Sequence, residues 1–239
     1  MVSQQPILLV VGADRREFSA FDRVEQVTSQ SRVRWEARTL LPSGPALLVA
    51  HGPGRENAGH AVQEICSSRP VAAIISTGFV GALDETLSLA DVFIATCVVQ
   101  QEPKLQYAVK LPTWSGVREP TQGSLLTVDK VVQTAHDRKK LRSLGVSAVD
   151  MEASAVAAEA AVRELPFFCV RVVSDEANVS LPVDFNKTRR PNGTFSEWRV
   201  LAQALIRPSC WSRLRQLKID SEQASIALAG FFGKAKFDV

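Results

Sequence analysis

The sequence predicts an α/β fold, a three-layer α/β/α sandwich built on a mixed, largely parallel central sheet. Three observations predict it. Apolar runs of strand length recur along the chain with helical patterns between them. The runs are continuously rather than alternately hydrophobic, as suits strands covered on both faces. Glycine and polar residues gather just after several runs, where open α/β sheets bind their ligands.

The first run, Pro6 to Val11, ends at Gly12, and a helix is expected over about 14–29 with Glu17 near its start. Ala46 to Ala50 follows, and His51-Gly52-Pro53-Gly54 separates it from a helix at about 55–68. Val71 to Ser76 is the next run, with Thr77 to Ala82 read as the loop beyond it. Asp91 to Val99, Ser124 to Thr127 and Phe167 to Val173 supply the later strands. Helical patterns fall at about 129–141, 151–164 and 197–206, with one or two more towards the C-terminus. Two irregular stretches, 100–122 and 176–196, read either as lids and contact surfaces or as plain surface excursions.

A chain of 239 residues is filled by one domain, residues 1–239, with a C-terminal helical extension from about 197 to 239. Hydrophobic residues make up 46% and charged residues 22%, an ordinary globular balance. The net charge of +3 is small and its Lys and Arg residues are scattered, which gives no argument for a nucleic-acid partner. The four cysteines show no Cys-x-x-Cys spacing and the three histidines no metal signature, so no metal site is expected. A strand starting near residue 6 leaves no room for a signal peptide, and the apolar run 224–232 is too short to span a bilayer. A cytoplasmic location is the resulting expectation.

The most informative stretch is Val149-Asp150-Met151-Glu152-Ala153-Ser154-Ala155, followed about twenty residues later by Arg171-Val172-Val173-Ser174-Asp175. Glu152 opens an alanine-rich helix, and Asp175 closes an apolar strand. Two carboxylates meeting at the mouth of a sheet can grip sugar hydroxyls and protonate a leaving group. Each also has a plainer reading: Glu152 as a helix N-terminal carboxylate, Asp175 as a capping or turn residue. Asp175 is the harder to set aside, because an uncompensated carboxylate next to a buried run is costly. Glu17 divides the same way between site residue and helix-dipole partner. The Gly52-Pro53-Gly54 turn reads as a simple strand-to-helix connection or as N–H groups offered to an anion or a polarised water. Gly78-Phe79-Val80-Gly81 lacks the dinucleotide-binding spacing, and no P-loop occurs.

Taken together, these pieces resemble the nucleoside phosphorylase/nucleosidase superfamily, especially its methylthioadenosine/S-adenosylhomocysteine nucleosidase branch. The resemblance runs from about residue 6 to 178. It is carried by Val11-Gly12-Ala13 with Glu17, Gly52-Pro53-Gly54, Ser76 to Leu83, Ala90 to Ile94, Val149 to Ala155 and Arg171 to Asp175, in family order. It implies a phosphorylase/hydrolase-like fold and cleavage of the N-glycosidic bond of a purine nucleoside, releasing adenine through an oxocarbenium-like ribosyl cation. Glu17 would activate the attacking water and Asp175 would direct a proton to purine N7. Glu152 would hold the ribose hydroxyls and Met151 pack on the sugar. Val132 would offer backbone hydrogen bonds to the base, with Val131, Phe79, Gly78 and Ser174 around it. No cofactor is implied, and the relatives' assemblies point to a homodimer.

Departures accompany the likeness. Phe79 stands where relatives commonly have serine, and Val131 where nucleosidases put an aromatic residue on the adenine. These substitutions motivate a rival of another class, a non-catalytic nucleoside-binding module. Water and phosphate are both open as the nucleophile. Ser76 replaces an arginine of the hexameric phosphorylases, which favours hydrolysis, whereas Arg16, Arg55 and Gly54 could grip inorganic phosphate as a co-substrate. The segments 181–186, 190–193 and 207–208 also look like the hopanoid-associated phosphorylases, which implies an adenosyl-lipid substrate. The tail from Ile219 to Phe237 could either pack on the domain or lie at a membrane surface.

Overall fold

The structure, a computed structural model, describes residues 5–27, 31–181, 184–188 and 210–239. Its first strands are β1 (Ile7–Gly12), β2 (Glu25–Gln26), β3 (Trp35–Leu41) and β4 (Gly44–Ala50), and helix α1 (Arg55–Ser68) follows. Next come β5 (Val71–Ala82), β6 (Val92–Gln100), β7 (Leu105–Ala108), β8 (Thr113–Trp114) and β9 (Thr121–Thr127). Helix α2 (Ala135–Arg142), β10 (Ala148–Asp150), α3 (Ala153–Val162) and β11 (Phe167–Asp175) lead to α4 (Phe185–Thr188), α5 (Cys210–Phe232) and β12 (Ala235–Lys236).

The expected mixed sheet is present, but it is not largely parallel: among the described residues five of its strand pairings are parallel and five antiparallel. β1 lies between β4 and β5, parallel to both, and β11 runs parallel to β5 but antiparallel to β6. Successive residues of β1 serve opposite faces, as the two-residue period of a strand requires. Leu9 and Val11 pack with Ala58, Val62 and Ile65 of α1 and Val156 and Ala160 of α3. Leu8 and Val10 pack instead with Ala224, Leu228, Phe231 and Phe232 of α5. Those four residues share one face of α5 at helical spacing. Of the two placements open for the tail, its described part thus takes the one against the domain. Among the described residues, no helix is long and apolar enough to cross a membrane.

One feature goes beyond the picture of a layered sandwich. β10 pairs in parallel with β9 and antiparallel with β5, so β5, β11, β6, β9 and β10 close into a ring. Closure depends on the length of β5. Residues Thr77 to Ala82, expected as a loop, continue the strand, and Gly81 and Ala82 are the residues that meet β10.

The helix expected at 14–29 is replaced by a four-residue 3-10 turn, Arg15–Phe18, and the short strand β2. Tertiary packing takes the aromatic residues of this stretch. Phe18 stacks on Trp35 and meets Phe21 edge-on, and Phe21 packs against Phe232. Arg23 then turns the chain in the left-handed region at φ 52°. The irregular stretch 100–122 contains β7 and β8, and α2 begins at Ala135 rather than 129. The expected helix at 197–206 lies outside the described residues, as do positions 190–193 and 207–208.

Candidate active site

The first carboxylate is positioned by the turn after β1. Asp14 caps that turn, and Glu17 folds back so that its Oε2 accepts from the Ala13 N–H at 2.8 Å and the Asp14 N–H at 3.3 Å. Its Oε1 reaches across to accept from the Phe79 N–H of β5 at 3.3 Å. Glu17 therefore closes a local capping box and also bridges the turn after β1 to strand β5. Phe79 contributes its backbone here, while its side chain packs against the α5-side core.

Only glycine leaves room for this carboxylate. A Cβ on Gly12 would stand 2.5 Å from Glu17 Oε2, and one on Gly78 would stand 2.6 Å from Oε1. Gly78 also holds φ at +126°, a region that other residues rarely adopt. Replacing Gly78 by Ala is expected to destabilise the fold by about 1–3 kcal/mol. It should also displace Glu17, lowering kcat on the order of 10²-fold for a misplacement near 1 Å. Thermal unfolding and steady-state kinetics check the two effects separately.

Glu17 is buried. Burial pushes its carboxyl up to about 7, the negative field of Glu152 adds to the rise, and Arg171 and the N–H groups of Asp14 and Ala13 oppose it. Glu152 occupies the N-cap position of α3 but makes no side-chain cap. Instead its Oε1 accepts from the Gly54 N–H at 2.7 Å and its Oε2 from the Met151 N–H at 3.2 Å. The N-terminus of α1 thus faces a protein carboxylate in place of the external anion or water that its glycine turn suggested. Burial raises the proton affinity of Glu152, the charge of Asp150 raises it further, and Arg171 and the Gly54 and Met151 N–H groups lower it.

Asp150 and Arg171 form the floor beneath these two carboxylates. Both side chains are buried, and Arg171 Nη2 donates to Asp150 Oδ2 at 2.5 Å and to Ser76 Oγ at 2.8 Å. Arg171 Nη1 donates to the Thr77 carbonyl. Asp150 also accepts from Thr127 Oγ1 at 2.7 Å and from the Ala153 N–H at 2.8 Å, which satisfies an orphan donor of α3. Residues from β5, β9, β10 and β11 meet in this network, so closure of the ring is what assembles it.

Asp175 ends β11 opposite Gly81 of β5. It has a buried cationic partner, which the chain around it did not suggest. Arg138 Nη2 donates to Asp175 Oδ2, and Ser174 Oγ donates to Oδ1 at 2.6 Å. Arg138 also donates to the Val132 carbonyl at 3.3 Å, which ties Asp175 to the segment 131–133. The neighbouring Val131 is held by Asn186, whose amide accepts from the Val131 N–H and donates to its carbonyl, both at 2.9 Å.

The arginines considered for phosphate are engaged elsewhere. Arg16 pairs with Asp14 through two hydrogen bonds of 3.0 Å, and its side chain is 76% exposed. Arg55 grips Asp129 at 2.8 and 3.0 Å and donates to the Glu102 carbonyl at 3.2 Å. Among the described residues, no group of three or more His, Cys, Asp or Glu side chains is arranged to hold a metal ion. The structure therefore brings Glu17, Gly54, Gly78, Phe79, Met151 and Glu152 together, and links Ser174 and Asp175 with Val132 through Arg138. Arg138, Arg171 and Asp150 had no role in the sequence reading. Arg171 did carry a signal, since a charge inside the apolar run 167–173 demands a partner.

The chain is similar to known proteins in sequence and in fold. A family model described as the phosphorylase superfamily matches residues 7–115 and 105–193. A 5′-methylthioadenosine/S-adenosylhomocysteine nucleosidase of Mycobacterium bovis is 28% identical over 202 residues, covering 63% of this chain and 79% of that protein. The enzyme of the same description from Staphylococcus aureus is 27% identical over 171 residues, covering 61% and 75%. Among solved structures, the nucleosidase from S. pneumoniae with a transition-state inhibitor superposes with a TM-score of 0.65 at 18% identity, covering 96% of this chain and 99% of that one. The nucleosidase from Neisseria meningitidis in complex with methylthio-immucillin-A gives 0.63 at 21% identity, covering 95% and 99%. At these identities the structural likeness speaks for the fold.

Proposed function

We infer that this chain, which belongs to the phosphorylase superfamily, is an enzyme that hydrolyses the N-glycosidic bond of a purine nucleoside, with adenine as the base. The observation that carries this reading is Glu17. It is a buried carboxylate just beyond the end of β1, held by N–H groups of the turn after β1 and of β5, with its proton affinity pushed up to about 7. A base poised near neutral pH can take a proton from water as the water oxygen attacks C1′. The curated relatives, described as methylthioadenosine and S-adenosylhomocysteine nucleosidases, support the same substrate class.

In this reading Glu152 holds the ribose hydroxyls, with Met151 against the sugar. The C1′–N9 bond breaks with its electron pair leaving on the base, so that C1′ passes through an oxocarbenium-like state. Asp175, beside Ser174, passes a proton to N7, and the Val132 backbone meets the rest of the base edge. Exchange with solvent then returns a proton to Asp175 and removes the one that Glu17 took from the water. The sugar keeps the hydroxyl of the water. Hydrolysis is favoured over phosphorolysis because Arg16 and Arg55 are already paired with Asp14 and Asp129. Phosphate would also have to approach two buried carboxylates. The homodimer implied by the family is kept as part of the proposal.

The test is adenine release from adenosine, methylthioadenosine and a 5′-alkyl adenosine, each with and without phosphate, with the sugar product identified by mass. The expected result is a free sugar formed at the same rate in both conditions. Strict phosphate dependence with a sugar 1-phosphate would overturn hydrolysis. Binding without base release over hours would identify a non-catalytic nucleoside-binding module.

A further inference from the structure

Helix α2 is built almost entirely of polar and charged residues, Ala-His-Asp-Arg-Lys-Lys-Leu-Arg, and its only buried residue is Arg138. A helix normally docks through an apolar stripe. This one, capped by Thr134 on the Asp137 N–H, docks through a guanidinium that is 1% exposed. Burying a cation is unfavourable unless it is paired and hydrogen-bonded. The partners of Arg138 are all at one place. Nη1 donates to the carbonyls of Ala82, Asp175 and Glu176, and Nη2 to the Val132 carbonyl and Asp175 Oδ2. Its Nε has no hydrogen-bond partner among the described residues, so the Nη contacts set its position. Gly81 leaves the space for this arrangement: a Cβ there would stand 3.0 Å from Asp175 Oδ2 and 3.1 Å from Arg138 Nη1.

We propose that Arg138 is a positioning residue for the leaving base, fixing the Asp175 carboxylate and the Val132 carbonyl at a set spacing so that one purine edge meets both. The proposal rests on the reading of Asp175 as the N7 partner and deepens it. A planar guanidinium can hold a carboxylate and several carbonyls in one rigid frame, which a lysine ammonium on a flexible stem cannot. Arg138 reaches no reacting atom itself. Its effect passes through Asp175 and Val132, so its loss should be felt only when the leaving group needs a proton.

The experiment compares Arg138→Lys, Arg138→Gln, Asp175→Asn and the double variant Arg138→Lys/Asp175→Asn on two substrates. One is adenosine or methylthioadenosine. The other is a nitrophenyl riboside, whose phenolate leaves without protonation at N7. Arg138→Lys keeps the charge should Arg138→Gln fail to fold. The expected result is a fall in kcat of about 10²-fold on the nucleoside for each single variant. On the aryl riboside Arg138→Lys should stay within a few-fold of wild type, and on the nucleoside it should cost much less in the Asp175→Asn background than in wild type. Unchanged nucleoside turnover in a folded Arg138→Lys variant, or an equal loss on both substrates, would overturn the positioning role. Wild-type nucleoside turnover in Asp175→Asn would instead overturn the reading of Asp175.

Discussion

Substituting Met for Arg171 is expected to lower the stability of the fold by about 3–5 kcal/mol, the usual consequence of removing one partner of a buried ion pair. In a chain of this size that corresponds to a fall in Tm of roughly 6–20 °C. Arg171 and Asp150 are both buried, and the substitution would also strand the Thr77 carbonyl and the Ser76 hydroxyl that Arg171 engages. The damage would not stop at Asp150. Arg171 is the cation that opposes the raised proton affinity of both Glu17 and Glu152. Without it, three buried carboxylates would face one another with no compensating charge from this residue. Thermal unfolding of Arg171→Met, Asp150→Asn and the double variant measures this directly. The double variant should recover part of the loss, because exchanging a buried pair for neutral groups is far less harmful than orphaning one member. A double variant as unstable as the sum of the singles would show that the two residues do not act as a pair.

The different fates of Arg171 and Arg138 show what a sequence can display of such a site. Arg171 interrupts a run of apolar residues, so its burial and its need for a partner are written locally. Arg138 sits in a stretch with Asp137, Lys139, Lys140 and Arg142, which reads as a solvated helix face. Only the three-dimensional contact with Ala82, Asp175 and Val132 distinguishes it from its neighbours. Glu17 was legible as a residue but not in its setting. The stretch 14–29 reads as a helix, yet Phe18 and Phe21 serve the packing against Trp35 and Phe232, and Glu17 sits on a 3-10 turn. The runs of β1, β4, β6 and β11 were readable because burial on both faces leaves continuous hydrophobicity. Closure of the ring was not, since β10 has three residues and its partner in β5 lies about seventy positions earlier. Strand pairing over such separations leaves no local mark. The glycines at positions 12, 78 and 81 appear in the sequence as motif letters, and their cause is the carboxylates that approach them.

Glu17→Gln is expected to reduce kcat by about 10²–10⁴-fold, the range for loss of a general base, while substrate binding is largely retained. The pH dependence gives the sharper test. As a base, Glu17 acts when ionised, so wild-type kcat/KM should fall on the acid side with an apparent pKa near the value of about 7 set by its burial. That limb should vanish in Glu17→Gln. Stability should run in the opposite sense. The Glu17 carboxyl binds its proton more tightly in the folded state, at about 7, than at its ordinary value of 4.5. Its contribution to stability is therefore fully present below about pH 4.5 and is lost as pH rises through 7, a change of about 3 kcal/mol. The same burial that makes the base effective near neutral pH weakens the fold there. Gln carries no such penalty, so the variant should lose less stability than wild type between pH 5 and 8 as measured by denaturant unfolding. Parallel stability profiles for the two proteins, or an unchanged acid limb in the variant, would assign the titration to another group.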